Sequence, residues 1–299
     1  MFFVVLVMLL MCIGLPLAFA WRVFRLDEPT LSAWLLSVAN AAVLVALVLL
    51  LGRWDMAGYY ARLLVLAVFL SAVVWSLGKH LPRAWKSREN LTVQRHGTTL
   101  ASLALFGSAL AYVVYGTIPP SETRDLTFPL RDGRFMVGQG GGVGLLNRHA
   151  GHREQRHAAD IGAIGPLGYR AAGLAPASLE SYEVFGAAVV SPCDGVVVGS
   201  RNDLPDLIPP ETDRQNARGN HLIIDCGGFN VELAHLQHGS LSAQVGASVS
   251  AGDDIGKVGN SGNTTEPHLH IHAVDRASRT GIAMSFDGRI PLRNRLYVN

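Results

Sequence analysis

Charge is what this chain has least of. Only 16% of its 299 residues are charged, and 25 Lys and Arg against 23 Asp and Glu leave a formal net charge of +2. That balance offers no basic field for a nucleic acid. Cysteine is nearly absent as well, with Cys12, Cys193 and Cys226 and no C-x-x-C spacing. Three cysteines exclude a disulfide framework, and the spacing excludes a paired-thiolate zinc site. A Cys193–Cys226 bond stays open at this level. The first apolar stretch lacks the basic n-region of a signal peptide. It reads as a span, although Ala18-Phe19-Ala20 loosely mimics a cleavage site. No serine-nucleophile motif is present.

What the chain has in excess is apolar residues, 49% of the total, and they are concentrated in the first half. Residues 2–20, 34–52, 63–78 and 97–116 carry no charge. The third run gains length from Tyr60 and Ala61. Each is close to the roughly 20 residues that cross a bilayer, so residues 1–116 are expected to form a bundle of four transmembrane helices. Lys79, Arg83, Lys86, Arg88 and Arg95 face a single acid, Glu89, between the third and fourth runs. A loop so basic belongs in the cytoplasm. Both termini are then expected outside. Arg53 and Arg62 argue weakly for the reverse. The spans hold almost no internal charge, which counts against a transporter.

Ile118-Pro119-Pro120 makes a stiff exit from the last span. Residues 117–299 then suffice for one domain. They are rich in Gly, Val and short alternating runs, with turns at Ser191–Gly195 and Cys226–Gly228 and strands expected at 187–190, 196–199, 221–225, 229–236, 245–249, 251–256 and 268–274. This predicts an all-β sheet or sandwich. Residues 149–180 look less regular, a loop with a short helical turn near Pro176. Near the C-terminus, Pro267-His268-Leu269-His270-Ile271-His272 would place three imidazoles on one face of an extended strand. Imidazoles so arranged suit a borderline metal such as zinc. His235 and the pair His157 and Asp160 offer further ligands or a base. The bland alternative is an edge strand with surface histidines.

The segment from Ser191 to Val274 resembles the lysostaphin-like or LytM-type zinc metallopeptidases of the M23 family, which cut peptide bonds in peptidoglycan. Ser191-Pro192-Cys193-Asp194-Gly195 is similar to the family's early hairpin, and Gly219–Asp225 to its central strand. Ala234-His235-Leu236 and Pro267-His268-Leu269-His270 are similar to its two histidine motifs, and Gly246, Gly252, Gly256, Gly259 and Gly262 to its glycine turns. The resemblance does not include the membrane region. The early hairpin and the later Val249-x-x-Gly252-x-x-Ile255-Gly256 run are also similar to biotinyl or lipoyl carrier domains and to sugar-phosphotransfer domains, but Asp253-Asp254 stands where a carrier needs an exposed Lys.

The resemblance implies an extracytoplasmic LytM-like sheet of the duplicated-hybrid-motif type, tethered to a bacterial membrane, with one Zn2+ on two histidines and an aspartate. It makes His270 a ligand and Asp160 another, with Asp160-Ile161-Gly162 opening a strand, and makes His235 and His268 the groups that handle protons or steady the oxyanion. His272 falls where the family usually has an acid, and His221 takes a structural or rim place. The family's His-x-x-x-Asp spacing is not kept, because His157 precedes Asp160 by one residue too few. Gln155–Asp160 is similar to a variant in which an aromatic replaces that histidine and an upstream Asn-x-His supplies the ligand. That favours His149 of Asn147-Arg148-His149, with His157 and His152 as alternatives. The implied partners are peptidoglycan peptides and the lipid bilayer, with no nucleic acid. The alternative is a catalytically inactive domain that binds wall, scaffolds or activates.

Overall fold

The computed structural model describes residues 2–85 and 93–299. Lys86, Arg88 and Glu89 of the basic loop lie outside the described residues. The chain divides into two compact units, Phe3–Tyr115 and a second holding Gly116–Asn299.

The first unit contains four helices long and apolar enough to cross a membrane: Phe3–Phe24, Leu31–Leu51, Tyr59–His80 and His96–Tyr115. The chain lacks the polar residues that would give these helices a wet face. Phe3, Leu10, Leu64 and Val74 are exposed, as lipid contact requires. Ala20, Val23, Trp34, Val38, Phe69 and Ala72 pack together instead. Thr30 caps the second helix by accepting from the Ala33 N–H. Lys79 Nζ donates to the carbonyls of Phe24 and Leu26 at 2.9 and 3.1 Å. Arg83 reaches the Glu28 carbonyl and the Asp27 carboxylate. The loop joining the first two helices therefore sits at the same end as the basic end of the third.

The second unit is a sheet domain. Its strands are β1 (Thr123–Leu126), β2 (Arg134–Gln139), β3 (Ala159–Ala163), β4 (Ala188–Val190), β5 (Gly195–Arg201), β6 (Asn220–Asp225), β7 (Phe229–Leu236), β8 (Ser248–Val249), β9 (Asp254–Lys257), β10 (Leu269–Asp275), β11 (Gly281–Phe286) and β12 (Leu296–Val298). The main sheet runs β12-β2-β3-β10-β7-β6-β5-β8, with β11 beside the end of β10 and β1 beside β11. β4 and β9 form a separate pair. The sheet is mixed, because β1 and β11 run parallel.

The segment 149–180, expected to be less regular apart from the strand that the resemblance opens at Asp160-Ile161-Gly162, holds β3, which lies next to β10 in the centre of the sheet. Its five residues are too few for their alternation to stand out from the flanking loop. β1, β2, β11 and β12 also lie outside the expected strands. A short helical turn does follow Pro176, at Leu179–Ser181. Cys193 and Cys226 form a disulfide. It joins the turn before β5 to the turn after β6.

The core lies on one face of the central strands. Leu269, Ile271 and Ala273 of β10 are buried there with Ile161, Leu222, Ile224, Val231 and Leu233. Phe128, Phe135, Phe286 and Tyr297 form an aromatic group in the same core. The opposite face of the same strands is left for polar side chains.

Candidate metal centre

Because β10 sends Leu269 and Ile271 into the core, alternation turns His270 and His272 to the other face. β3 runs antiparallel beside it, and His270 is the direct partner of Asp160. Side chains so paired start roughly 5 Å apart at Cβ. His270 Nδ1 accordingly lies 2.8 Å from Asp160 Oδ1. On the other side, the partner of His270 is Ala234, whose small side chain leaves room above the strand.

The third group comes from a loop. His149 sits in the single 3-10 turn Arg148–Gly151, and its Nε2 is 3.1 Å from both Asp160 oxygens. Asn147 holds the turn in place. Its side chain is fully buried. Its Oδ1 accepts from the His149 N–H at 3.0 Å, and its Nδ2 donates to the carbonyls of Gly141 and Ala158 at 3.1 and 3.0 Å. One ligand atom from each of His149, Asp160 and His270 lies within 4.8 Å of the others. These three make a candidate divalent-metal site among the described residues. His152 is exposed on the loop. His157 lines a separate small recess with Gly141, Gly142 and Pro291. Neither belongs to the cluster.

His235 reaches the cleft by a different route. Alternation from Ala234 would send its ring into the core. The pairing of β6 with β7 instead slips there, from Asn220 with Leu236 to His221 with Ala234, so that His235 is the extra residue of a bulge. Its φ is +62°, a conformation that costs about 1–3 kcal/mol outside glycine. Backbone bonds hold it there: the His235 N–H donates to the Arg218 carbonyl at 3.1 Å, and its own carbonyl accepts from Gly259 at 3.0 Å. The ring then stands 4.9 Å from that of His268 and 5.9 Å from that of His270, centre to centre.

The hydrogen bonds assign tautomers. His235 Nδ1 is 2.9 Å from the Ser261 carbonyl and His268 Nδ1 is 2.9 Å from the Glu266 carbonyl. A carbonyl only accepts, so both Nδ1 atoms carry the proton. Each ring keeps Nε2 for the cleft, and that of His268 lies 3.8 Å from Asp160 Oδ1. His221 is occupied elsewhere, its Nδ1 donating to the Gly219 carbonyl at 2.8 Å.

Burial would raise the pKa of Asp160. The charge of His268 and the hydrogen bonds from His149 and His270 outweigh it and hold the carboxyl well below the usual range. Burial opposes protonation of His149, but its bond to Asp160 and that carboxylate's charge raise its pKa on balance. Burial pushes His235 well down, helped by the charges of His268 and His270. It also pushes His268 down against the pull of Asp160. His272 falls to about 2, through burial first and then the charge of His270. A neutral His272 can accept, and its Nδ1 is 3.1 Å from His270 Nε2. That contact orients the His270 ring with Nδ1 toward Asp160, as metal-binding imidazoles are commonly held.

Two residues that the sequence reading passed over also line the cleft, Arg218 and Glu232. Glu232 is the cross-strand partner of His272. Its signal in the sequence is faint: an acid inside Val231-Glu232-Leu233, where a buried strand rarely tolerates one. Burial raises its pKa against the charges of Arg218 and His221.

Residues 181–280 match the model of peptidase family M23. That match lies within the sheet domain, after the helical region. No curated protein matches the chain. Among solved structures, it is similar to a zinc-containing peptidase from Vibrio cholerae (25% identity, TM-score 0.27, covering 34% of this chain and 26% of that one). It is also similar to Helicobacter pylori Csd3 (17% identity, TM-score 0.31, 53% and 32%) and to lysostaphin (24% identity, TM-score 0.25, 32% and 36%). The chain spans well under two thirds of the length of each. The likeness to family M23 rests on the family model, over residues 181–280. His149 and Asp160 lie upstream of the matched residues, whereas His235, His268 and His270 lie within them.

Proposed function

We propose that the second unit is a zinc endopeptidase that hydrolyses peptide bonds in peptidoglycan next to a bacterial membrane. One observation carries this reading: a carboxylate and two imidazoles converge at ligand spacing, and two further histidines stand beside them with Nε2 turned to the same cleft. The donor set fits the proposed ion, since catalytic zinc takes three nitrogen or oxygen ligands from the protein and leaves a position open. His149 Nε2, an Asp160 oxygen and His270 Nδ1 would hold it. Bound there, zinc supplies Lewis acidity toward a scissile carbonyl and lowers the pKa of water.

The chain's own residues do the rest. His235 and His268 are neutral near pH 7, with protons held on Nδ1. Each can therefore take a proton at Nε2 and return it to the leaving amine, or donate to the oxyanion once charged. Asp160, held ionised by its neighbours, keeps the cluster's charge in balance. The complete donor set favours hydrolysis over the binding-only alternative.

The test is turnover of purified peptidoglycan by the full-length chain in detergent. His235→Ala and His268→Ala should retain zinc and lose about 10²–10⁴ in rate, the usual worth of a proton-transfer group. Parent-like rates in both variants would contradict the assignment.

A further inference from the structure

The cleft beside the triad has a volume of about 130 Å3 and is lined by His149, Gln155, Arg218, Glu232, His235 and Asn263 among others. Arg218 is the cation of that wall that keeps its charge at any pH. Its Nε lies 3.0 Å from Glu232 Oε1, with the Glu232 side chain 7% exposed and that of Arg218 50% exposed. The contact is an ion pair and not an aligned hydrogen bond, because Oε1 of Glu232 makes no hydrogen bond. The two residues have unequal positions. The acid is sunk in β7 beneath the cleft, and the guanidinium stands above it at the mouth. A carboxylate buried on a strand is costly. Here it sits under the rim, where it holds one edge of the arginine.

Arg218 is held from the backbone side as well. Its carbonyl accepts from the N–H of His235 at the bulge, and the next residue, Gly219, has φ +63° and packs against the Ser261 backbone. The side chain therefore leaves a rigid stem. No described residue makes a hydrogen bond to its terminal nitrogens. A planar guanidinium anchored at Nε keeps its two-nitrogen edge for a second acceptor, and that edge matches a carboxylate.

We propose that Arg218, positioned by Glu232, is a specificity-determining residue that binds a free carboxylate of the peptide substrate close to the scissile bond. The inference rests on the peptidase reading above and adds the substrate's chemical class: an acidic peptide in preference to its amidated form. A charge-assisted pair of this kind is among the stronger hydrogen bonds. Discarding it should cost about 10- to 100-fold in kcat/KM, most of it in KM.

The test uses full-length protein in detergent and two crosslinked stem-peptide dimers. One carries its free carboxylates, and in the other these are converted to carboxamides. The parent should favour the acid dimer by about 10- to 100-fold. Arg218→Ala alone leaves Glu232 buried without a counter-ion and so risks misfolding. The informative variant is therefore Arg218→Ala combined with Glu232→Gln, in which the preference should fall to about one. Arg218→Lys should keep part of it, since charge survives and the fork does not. A parent that cuts both dimers equally well overturns this inference and leaves the peptidase reading standing. So does a preference that persists in the double variant. A parent that cuts neither dimer, while holding zinc, brings down the peptidase reading and this inference with it.

Discussion

Asn147 carries more of the site than an uncharged side chain suggests. Hydrogen bonds tie it to the carbonyls of Gly141, Ala158 and, more loosely, Arg156, and to the N–H of His149, and nothing else in the short turn is buried. Asn147→Ala should therefore release His149 and weaken zinc binding by about 10–100-fold, the usual effect of losing a group that orients a ligand. His149→Ala and His270→Ala should remove the ion, while His157→Ala should keep it, with elemental analysis of the purified full-length chain as the check. Loss of zinc in His157→Ala with retention in His149→Ala would reverse the ligand assignment. At this scale the sequence was legible wherever a period of two applied. His270 could be read as sharing a face with His268 and His272, and the structure brings it to Asp160. His149 came through resemblance alone, since no periodicity links a loop residue to a strand eleven positions on. Arg218 and Glu232 were not legible, because one acid in an apolar strand has no pattern of its own.

Among the elements, the bulge at His235 and Gly219 beneath it do what regular strands cannot. Gly219 has φ +63°, and a Cβ there would stand 2.1 Å from the Ser261 carbonyl oxygen. That oxygen is the acceptor for His235 Nδ1. Gly219→Ala should therefore cost about 2–4 kcal/mol by combining strain with overpacking, and should lower turnover by moving His235. Gly227 supplies the comparison. Its φ is +79° but a Cβ there meets nothing, so Gly227→Ala should cost only the strain, about 1–2 kcal/mol. Equal losses in the two variants, measured by denaturant unfolding, would show that close backbone packing under His235 is unimportant. The glycine turns could be read from the sequence. The bulge could not, since it depends on how β6 and β7 pair. β3 could be read only through the resemblance, in which Asp160-Ile161-Gly162 opens a strand, because its register is set by its pairing with β2 and β10.

For the whole molecule, the question is which compartment the sheet domain occupies. Four apolar helices place the domain on the same side of a bilayer as the N-terminus, if all four cross it. The basic residues near the end of the third helix favour a cytoplasmic position for that end. The sheet domain should then be digested by protease added outside intact spheroplasts, and full protection would contradict both the orientation and the wall as substrate. The helices were legible because length and hydropathy alone define a span. Their mutual packing, through Trp34, Phe69 and Ala72, was not, since nearly every position is apolar. The claim on which the rest depends is hydrolysis of a peptide bond by a metal-loaded chain. Its most direct measurement is mass spectrometry of purified peptidoglycan after incubation with the zinc-loaded full-length protein. New amino and carboxyl termini on peptides, with glycan chains left intact and the products lost on chelation, are the result this account predicts. Undigested peptides, or new sugar reducing ends in their place, would contradict it.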